Sequence, residues 1–498
     1  MRRLLVPASG LLLALCACGG SDGGGTGVQI TPSLVPVTIS AQPAATSVNA
    51  DQPVVLSVTA AGTGPLSYQW RKGGVAVAGA VGATFTISRA TPADAGSYDV
   101  VVSNAGGSIN SAAAAVTVTT IPVGITRQPT DRTAAAGFPI SFAIQASGTG
   151  LTYQWKRDGT AIPSATSGTL TLPTASIADD QARFTVEVSN ATGTLASRTA
   201  ILSVLTLNPT PVNYVSFDNR TIPLYAWEGK RVALLTTANT LSYPAVAALL
   251  GALDSAYIYY ELATGFTPGS GKSFNNKLSI AQVATTCGAG CGFIGARGIE
   301  LSTATFDTLY TGVLVRDEYD QAVFYEFGRN FWNLTSRLTY RAPDSDVVTT
   351  GFAVFMRFMA MNNVGVAGGP FGSWTFADFR MRVEQMVDLY HDDTTQTFDN
   401  TLKIGRAQAN NPSQLGATDL FASICLRLAR DNGGEVFVRR LWTEAARRRM
   451  AQTTQDAVDN FVVAASIAAN RNLAPVFITR WRWPVSAAAQ AEVARLPA

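Results

Sequence analysis

The residues best suited to chemistry lie in the stretch Val323-Phe324-Tyr325-Glu326-Phe327-Gly328-Arg329-Asn330-Phe331-Trp332. Apolar Val323, Phe324, Phe327 and Phe331 recur at helical spacing, which predicts an amphipathic helix. On it Tyr325 and Arg329 stand one turn apart on one face, with Glu326 on the adjoining face. Two side chains so placed could hold a metal, and the carboxylate could then work on a metal-bound water. Here those two positions carry a phenol and a guanidinium. A guanidinium stays protonated, so it cannot ligate zinc and repels the cation. Asp317, Glu318 and Asp320 precede the helix, and carboxylates in pairs can do acid–base work on a sugar without metal.

The surrounding elements must position that helix. From about residue 212 short strands give way to long helices: Arg231–Thr236 reads as a strand, Ala245–Tyr260 as a helix, and Phe293–Leu301 as a glycine-containing edge strand. A helix through Val354-Phe355-Met356-Arg357-Phe358-Met359 follows, then several more. This order, with Tyr325-Glu326-Phe327-Gly328-Arg329-Asn330 at its centre and Trp481-Arg482-Trp483-Pro484-Val485-Ser486 near its end, resembles the gluzincin metallopeptidases, in particular the M60-like and basic secretory protein groups. There the central motif reads H-E-x-G-H-N. The resemblance makes Glu326 the retained general-base position and puts Tyr325 and Arg329 where two histidines would bind zinc. The family's third ligand, a glutamate further along, is missing too: no Glu occurs between Glu326 and Glu384, and Asp344 and Asp346 are the nearest carboxylates. The expectation is a pseudo-peptidase with no metal and no cofactor, whose cleft residues Tyr325, Glu326 and Arg329 bind a ligand.

Composition supports that reading. The chain has one histidine, His391, so no site needing two imidazoles can be built from it. A net charge of +3 over 498 residues gives no reason to expect nucleic acid. Pro268-Gly269-Ser270-Gly271-Lys272-Ser273 looks like a phosphate loop, but Phe266 stands where its first glycine should be, and it reads as a mobile surface loop. His391 in its acidic loop, the arginines 439, 440, 447, 448 and 449, and Trp374, Trp442, Trp481 and Trp483 read as a solvated side chain, an exposed basic face and core, respectively.

The start of the chain reads as a targeting segment. Arg2 and Arg3 precede an apolar run from Leu4 to Leu15 too short to span a bilayer, and Leu15-Cys16-Ala17-Cys18-Gly19 resembles a bacterial lipobox. Cys18 is the expected lipid-bearing residue. Residues 1–18 are then a lipoprotein signal peptide and 19–33 a Gly/Ser-rich tether. The protein is expected to be exported and lipid-anchored at the cell envelope, at the outer membrane in a Gram-negative host. In the exported chain a local disulfide is expected between Cys287 and Cys291, and Cys425 is expected as a buried free thiol.

Between tether and helices lies an internal repeat. Tyr68-Gln69-Trp70-Arg71-Lys72 and Ser103-Asn104-Ala105 return as Tyr153-Gln154-Trp155-Lys156-Arg157 and Ser189-Asn190-Ala191, among short runs of period-two alternation. Both copies resemble bacterial immunoglobulin-like domains of I-set-like type. Trp70 and Trp155 match the core tryptophan, and Tyr98 matches the tyrosine corner, replaced by Phe184 in the second copy. The usual cysteines are absent, with Val58, Val100, Ile144 and Val186 in their place.

The architecture expected is multidomain: two all-β immunoglobulin-like sandwiches, at 34–119 and 124–205, plus a C-terminal α+β gluzincin-like domain at 212–498 that is mainly helical in its second half. The function expected is surface binding or adhesion, with a peptide or glycan recognised by the C-terminal domain and the membrane reached through the lipid. An exported hydrolase using carboxylates without zinc and a purely structural stalk are the alternatives.

Overall fold

The computed structural model of the protein describes residues 33–339, 347–406 and 411–497. The expected signal peptide, the lipidated Cys18, nearly all of the tether, and Asp344 and Asp346 lie outside the described residues. The chain falls into two compact units, one ending at Ile121 and one beginning at Pro122.

The first unit is a β-sandwich. One sheet has the order Thr46–Asn49, Ala114–Thr119, Gly96–Asn104, Ser67–Lys72, Val75–Ala76, and its outermost long strand, Thr46–Asn49, runs parallel to Ala114–Thr119. The facing strands pair Val54–Ser57 with Thr84–Ile87 and Thr38–Ala41 with Thr59–Ala61. Alternation decides the inside: Val54 and Leu56 are buried while Val55 and Ser57 point to water. Val58 and Val100 are buried against Trp70 and Tyr98. The Tyr98 hydroxyl donates to the Asp94 carbonyl at 2.9 Å, closing the tyrosine corner.

The second unit opens with a sandwich of the same strand order. Arg132–Ala135, Ala200–Leu205, Arg183–Asn190, Thr152–Arg157 and Thr160–Ala161 form the matching sheet, again with a parallel first pair. Equivalent side chains make equivalent bonds. The Trp70 indole donates to Gly82 O and that of Trp155 to Ser167 O, while Ser111 and Ser197 accept from Val100 and Val186.

This sandwich runs without a break into a mixed sheet. Its order is Thr210–Val215, Thr221–Glu228, Val232–Thr236, Lys277–Val283, Ile299–Ser302, Gly290–Gly292. The first three strands are antiparallel, the next two steps parallel, and the Gly290–Gly292 edge antiparallel. A parallel step needs a crossover, supplied by α1 (Tyr243–Thr264), a helix apolar on nearly every side and buried accordingly. The remaining helices are α2 (Thr303–Arg316), α3 (Ala322–Asn330), α4 (Thr335–Leu338), α5 (Val347–Val364), α6 (Phe376–Asp392), α7 (Ala417–Asp431), α8 (Glu435–Arg447), α9 (Thr454–Ala469) and α10 (Ala487–Val493). No helix among the described residues is long and apolar enough to cross a membrane.

Two expectations need correction. Phe293–Leu301 is not one edge strand: the edge is Gly290–Gly292, and the chain turns back before Ile299–Ser302. Gly295 at φ 70° and Gly298 at φ 126° hold left-handed values that break a strand, which is why the turn falls there. The Pro268–Ser273 segment is not free either. Its backbone exchanges hydrogen bonds with Gly295 and Arg297, and a Cβ at Gly271 would lie 2.2 Å from Arg297 O.

Candidate binding cleft

Helix α3 is short and held by its apolar side. Val323, Phe324 and Phe327 are buried, and the Tyr260 hydroxyl on α1 donates to Phe324 O at 2.6 Å. Glycines bring its neighbours close. A Cβ at Gly328 would lie 2.6 Å from Ala353 Cα on α5, and one at Gly292 would lie 2.8 Å from Glu326 O. The edge strand therefore reaches Glu326, and the Gly292 N–H donates to Glu326 Oε2 at 2.7 Å. Asn330, fully buried, donates to Phe293 O and Gly298 O and so fixes the turn that follows the edge strand.

Glu326 is only 5% exposed, and burial raises its carboxyl above the usual range, against the Arg329 charge and the Gly292 hydrogen bond. Arg329 Nε lies 3.7 Å from Glu326 Oε2 and donates to Gly292 O at 3.2 Å. Next to the edge strand, Cys287 and Cys291 form a disulfide that closes the loop leading into it.

A cleft of about 630 Å³ opens beside α3, walled by the edge strand, α2, α5, the Pro370–Gly372 loop and the start of α7. Tyr325 and Glu326 line it. Arg329 does not; it lies behind Glu326, on the strand side. Of the acidic residues before α3 only Asp320 reaches the cleft, since Asp317 pairs with Arg132 and Glu318 with Arg316.

The cleft also carries charged and aromatic residues that were not among the sequence candidates. Arg357 on α5 is 5% exposed, and burial lowers its pKa to about 10, opposed chiefly by the charge of Asp419. Its guanidinium carbon sits 5.7 Å from the Tyr325 ring centroid. Asp419 and Phe371 line the same cleft. A lone arginine inside the apolar run Val354–Met359 was the available signal, because charged side chains are almost never fully buried without a reason.

The donor set does not fit zinc. Tyr325 and Arg329, one turn apart on α3, are a phenol and a guanidinium, and a protonated guanidinium does not ligate a cation. Among the described residues no three of His, Cys, Asp and Glu converge as a metal site.

The other sequence candidates play structural parts. His391 Nδ1 lies 3.1 Å from Arg480 O. Arg447, Arg448 and Arg449 pair with Glu444, Glu492 and Asp456. Trp442, Trp481 and Trp483 are buried, Trp374 is half-buried against Arg382, and Cys425 is a buried free thiol.

Comparison with known proteins identifies the N-terminal unit. Residues 36–104 match the immunoglobulin domain family, so the chain carries an immunoglobulin-like domain there. The chain is also similar to the decoration protein of Escherichia phage T5, 41% identical over 104 residues, or 20% of this chain and 63% of that protein. Endoglucanase C of Cellulomonas fimi is 30% identical over 176 residues, 33% of this chain and 16% of that one. The chain thus spans less than two thirds of either relative. Among solved structures, immunoglobulin domains 1–5 of Sidekick-1 share 21% identity over 35% of this chain and 40% of theirs, with a TM-score of 0.28. A chimeric titin Z1Z2 shares 21% over 35% of this chain and 98% of its own, with a TM-score of 0.26.

Proposed function

We propose that the protein is a surface-anchored recognition protein. A lipid on Cys18 holds it at the envelope, two immunoglobulin-like sandwiches carry the C-terminal domain, and that domain is a gluzincin-like pseudo-peptidase that binds a glycan or peptide. The observation that carries the reading is the cleft itself. Glu326 lines it beside the Tyr325 phenol and the Arg357 guanidinium, a set that supports ligand binding and supplies no imidazole for a metal. Immunoglobulin-like domains fit binding and adhesion roles, and the similarity to an endoglucanase favours a glycan over a peptide.

The test is a glycan and peptide array probed with the exported chain and with Glu326→Ala. Ligand retained by the wild type and lost on Glu326→Ala supports the cleft; binding unchanged by the substitution moves recognition elsewhere. Zinc bound stoichiometrically to the purified protein would overturn the pseudo-peptidase reading.

One observation favours a second reading, a metal-free glycan hydrolase: Asp320 and Glu326 share the cleft, and burial raises both carboxyls. Release of reducing sugar ends by the wild type, abolished in Glu326→Gln, would establish it.

A further inference from the structure

The recognition reading leaves the ligand's chemistry open, and Arg357 narrows it. The guanidinium carbon lies 4.7 Å from the Phe379 ring centroid and 5.5 Å from that of Phe371. Among the described residues the side chain forms no ion pair or hydrogen bond, and its Nε is buried without a partner. The adjacent Gln321 is buried, donates from Nε2 to Gly369 O, and leaves Oε1 without a partner. One cleft thus holds a free donor and a free acceptor.

Its carboxyls are also held in place. Asp320 accepts from Ala322 N–H and Asp419 from Gly416 N–H, so each carboxyl is tied to a helix start. Both act on Arg357 through space, and Glu326 adds a third carboxyl to the same walls. An anionic ligand would add to the negative charge of three carboxyls, and a cationic one would meet a desolvated guanidinium. A hydroxyl both donates and accepts and brings no charge. Phe371, 41% exposed, offers an aromatic face at the same cleft, suited to the apolar face of a sugar ring.

We propose that the cleft binds a neutral, hydroxyl-rich oligosaccharide. Arg357 donates to a sugar oxygen, Gln321 accepts from a hydroxyl, and Phe371 stacks on a ring. The proposal rests on the recognition reading above.

The exported chain is titrated calorimetrically with neutral tetrasaccharides of glucose, galactose and mannose, with galacturonate tetrasaccharides, and with a set of unstructured peptides. The variants are Arg357→Lys, which keeps the charge but loses the planar fork, and Phe371→Ala, at a partly exposed ring that also stacks on Phe379 at 4.2 Å. The expected result is binding of at least one neutral tetrasaccharide, weakened about tenfold or more by each substitution while circular dichroism stays unchanged. If Arg357→Lys fails to fold, Phe371→Ala alone decides. Preference for galacturonate or for peptides overturns the neutral-glycan proposal and leaves the recognition cleft standing. Neutral-sugar binding untouched by Phe371→Ala overturns the site. Failure of every probe to bind overturns both this proposal and the recognition reading.

Discussion

The two β-sandwiches share a strand order and reach it with different cores. In the first, Leu56 faces Phe85 across the strand pair; in the second, Phe142 faces Leu170 at the matching register. The aromatic and the aliphatic have exchanged strands. Consequently Phe85 stacks between Trp70 and Tyr98 in the first sandwich, whereas Phe142 packs on Trp155 and, at 4.7 Å, on Phe184 in the second. The pair's total volume survives the swap, and volume is what a packed core enforces.

They differ more in what lies beyond them. The core of the first sandwich closes on itself. The second gives Ala135, Leu205 and Leu207 to the main core of the C-terminal half, and its Arg132–Ala135 strand lies against α1. Phe138 stacks on Tyr243 at 5.6 Å, and Lys230 reaches Asp180 at 3.1 Å. One repeat is a self-contained module and the other is one layer of a larger body.

The largest effect should come from the core tryptophans, both fully buried. Replacing either by Ala is expected to cost about 3–5 kcal/mol. Their consequences should part company in scanning calorimetry. Trp70→Ala should lower only the transition of the smaller unit, and Trp155→Ala should lower that of the helical body as well. A Trp155→Ala protein whose helical transition stays put would mean the second sandwich unfolds alone.

The seam can be broken directly at Gly251. A Cβ there would lie 2.0 Å from Thr133 Oγ1 and 2.3 Å from Thr133 Cβ. Gly251→Ala should therefore destabilise the larger unit by about 1–3 kcal/mol through overpacking. Thr133→Ala would not relieve it, because the clashing Cβ remains; Thr133→Gly should. Chemical denaturation of the two double variants distinguishes a local clash from a helix-propensity effect.

How far these features were legible in the sequence differs along the chain. The sandwich strands announce themselves because period-two alternation and the Trp-centred repeat are local signals. Helix α3 was legible for the same reason, through Val323, Phe324 and Phe327. The cleft was legible only in part. Tyr325 and Glu326 reach it, but Arg329 points to the strand side, because Gly292 lets the edge strand approach and take its side chain. Arg357, Phe371 and Asp419 come from three other elements, and no local pattern brings them together. The fusion at Gly251 was likewise invisible, since a glycine inside a helix reads as a propensity cost until its neighbour is known.

Mild acid separates the units, one transition rising while the other stays in place. In the larger unit burial raises the carboxyls of Asp254, Glu300, Asp320, Glu326, Asp419 and Glu435, while hydrogen bonds and nearby cations hold those of Asp179, Asp180, Asp218, Asp393, Asp456 and Glu492 low, so that these six matter only below the ordinary carboxylate range. A raised carboxyl binds its proton more tightly in the folded state, so its contribution is full below the unfolded value and is lost as pH rises through the folded one. Lowering pH from neutral toward the ordinary carboxylate range should thus raise the larger unit's Tm. The smaller unit has one clearly shifted carboxyl, Asp94, held low first by the Thr91 hydroxyl. Its contribution stands above the ordinary value and is lost only as pH falls through the depressed one, so this unit's Tm should stay flat over the first interval. Melts at several pH values that move both transitions in the same direction would refute the assignment.

The finest distinction is a single oxygen at the corner. Tyr98 and Phe184 occupy the same place, but only the tyrosine has a hydroxyl to donate, at 2.9 Å to Asp94 O. Removing it in Tyr98→Phe should cost about 0.5–1.5 kcal/mol, the net worth of one hydrogen bond. The reverse change, Phe184→Tyr, puts a hydroxyl into a corner one residue longer, because Asp179 caps the Ser176 N–H as Asp94 caps that of Thr91. If the longer corner still brings a carbonyl within reach, that change should stabilise the larger unit by up to about 1 kcal/mol. The stacked Phe142 is what could prevent it. Its ring lies 4.7 Å from that of Phe184 where the first sandwich has Leu56, so the corner there is held from the core side. Equilibrium unfolding of Phe184→Tyr alone and combined with Phe142→Leu and Leu170→Phe decides between the two. A gain only in the triple variant would mean that the aromatic exchange, not the lost hydroxyl, defines the second corner.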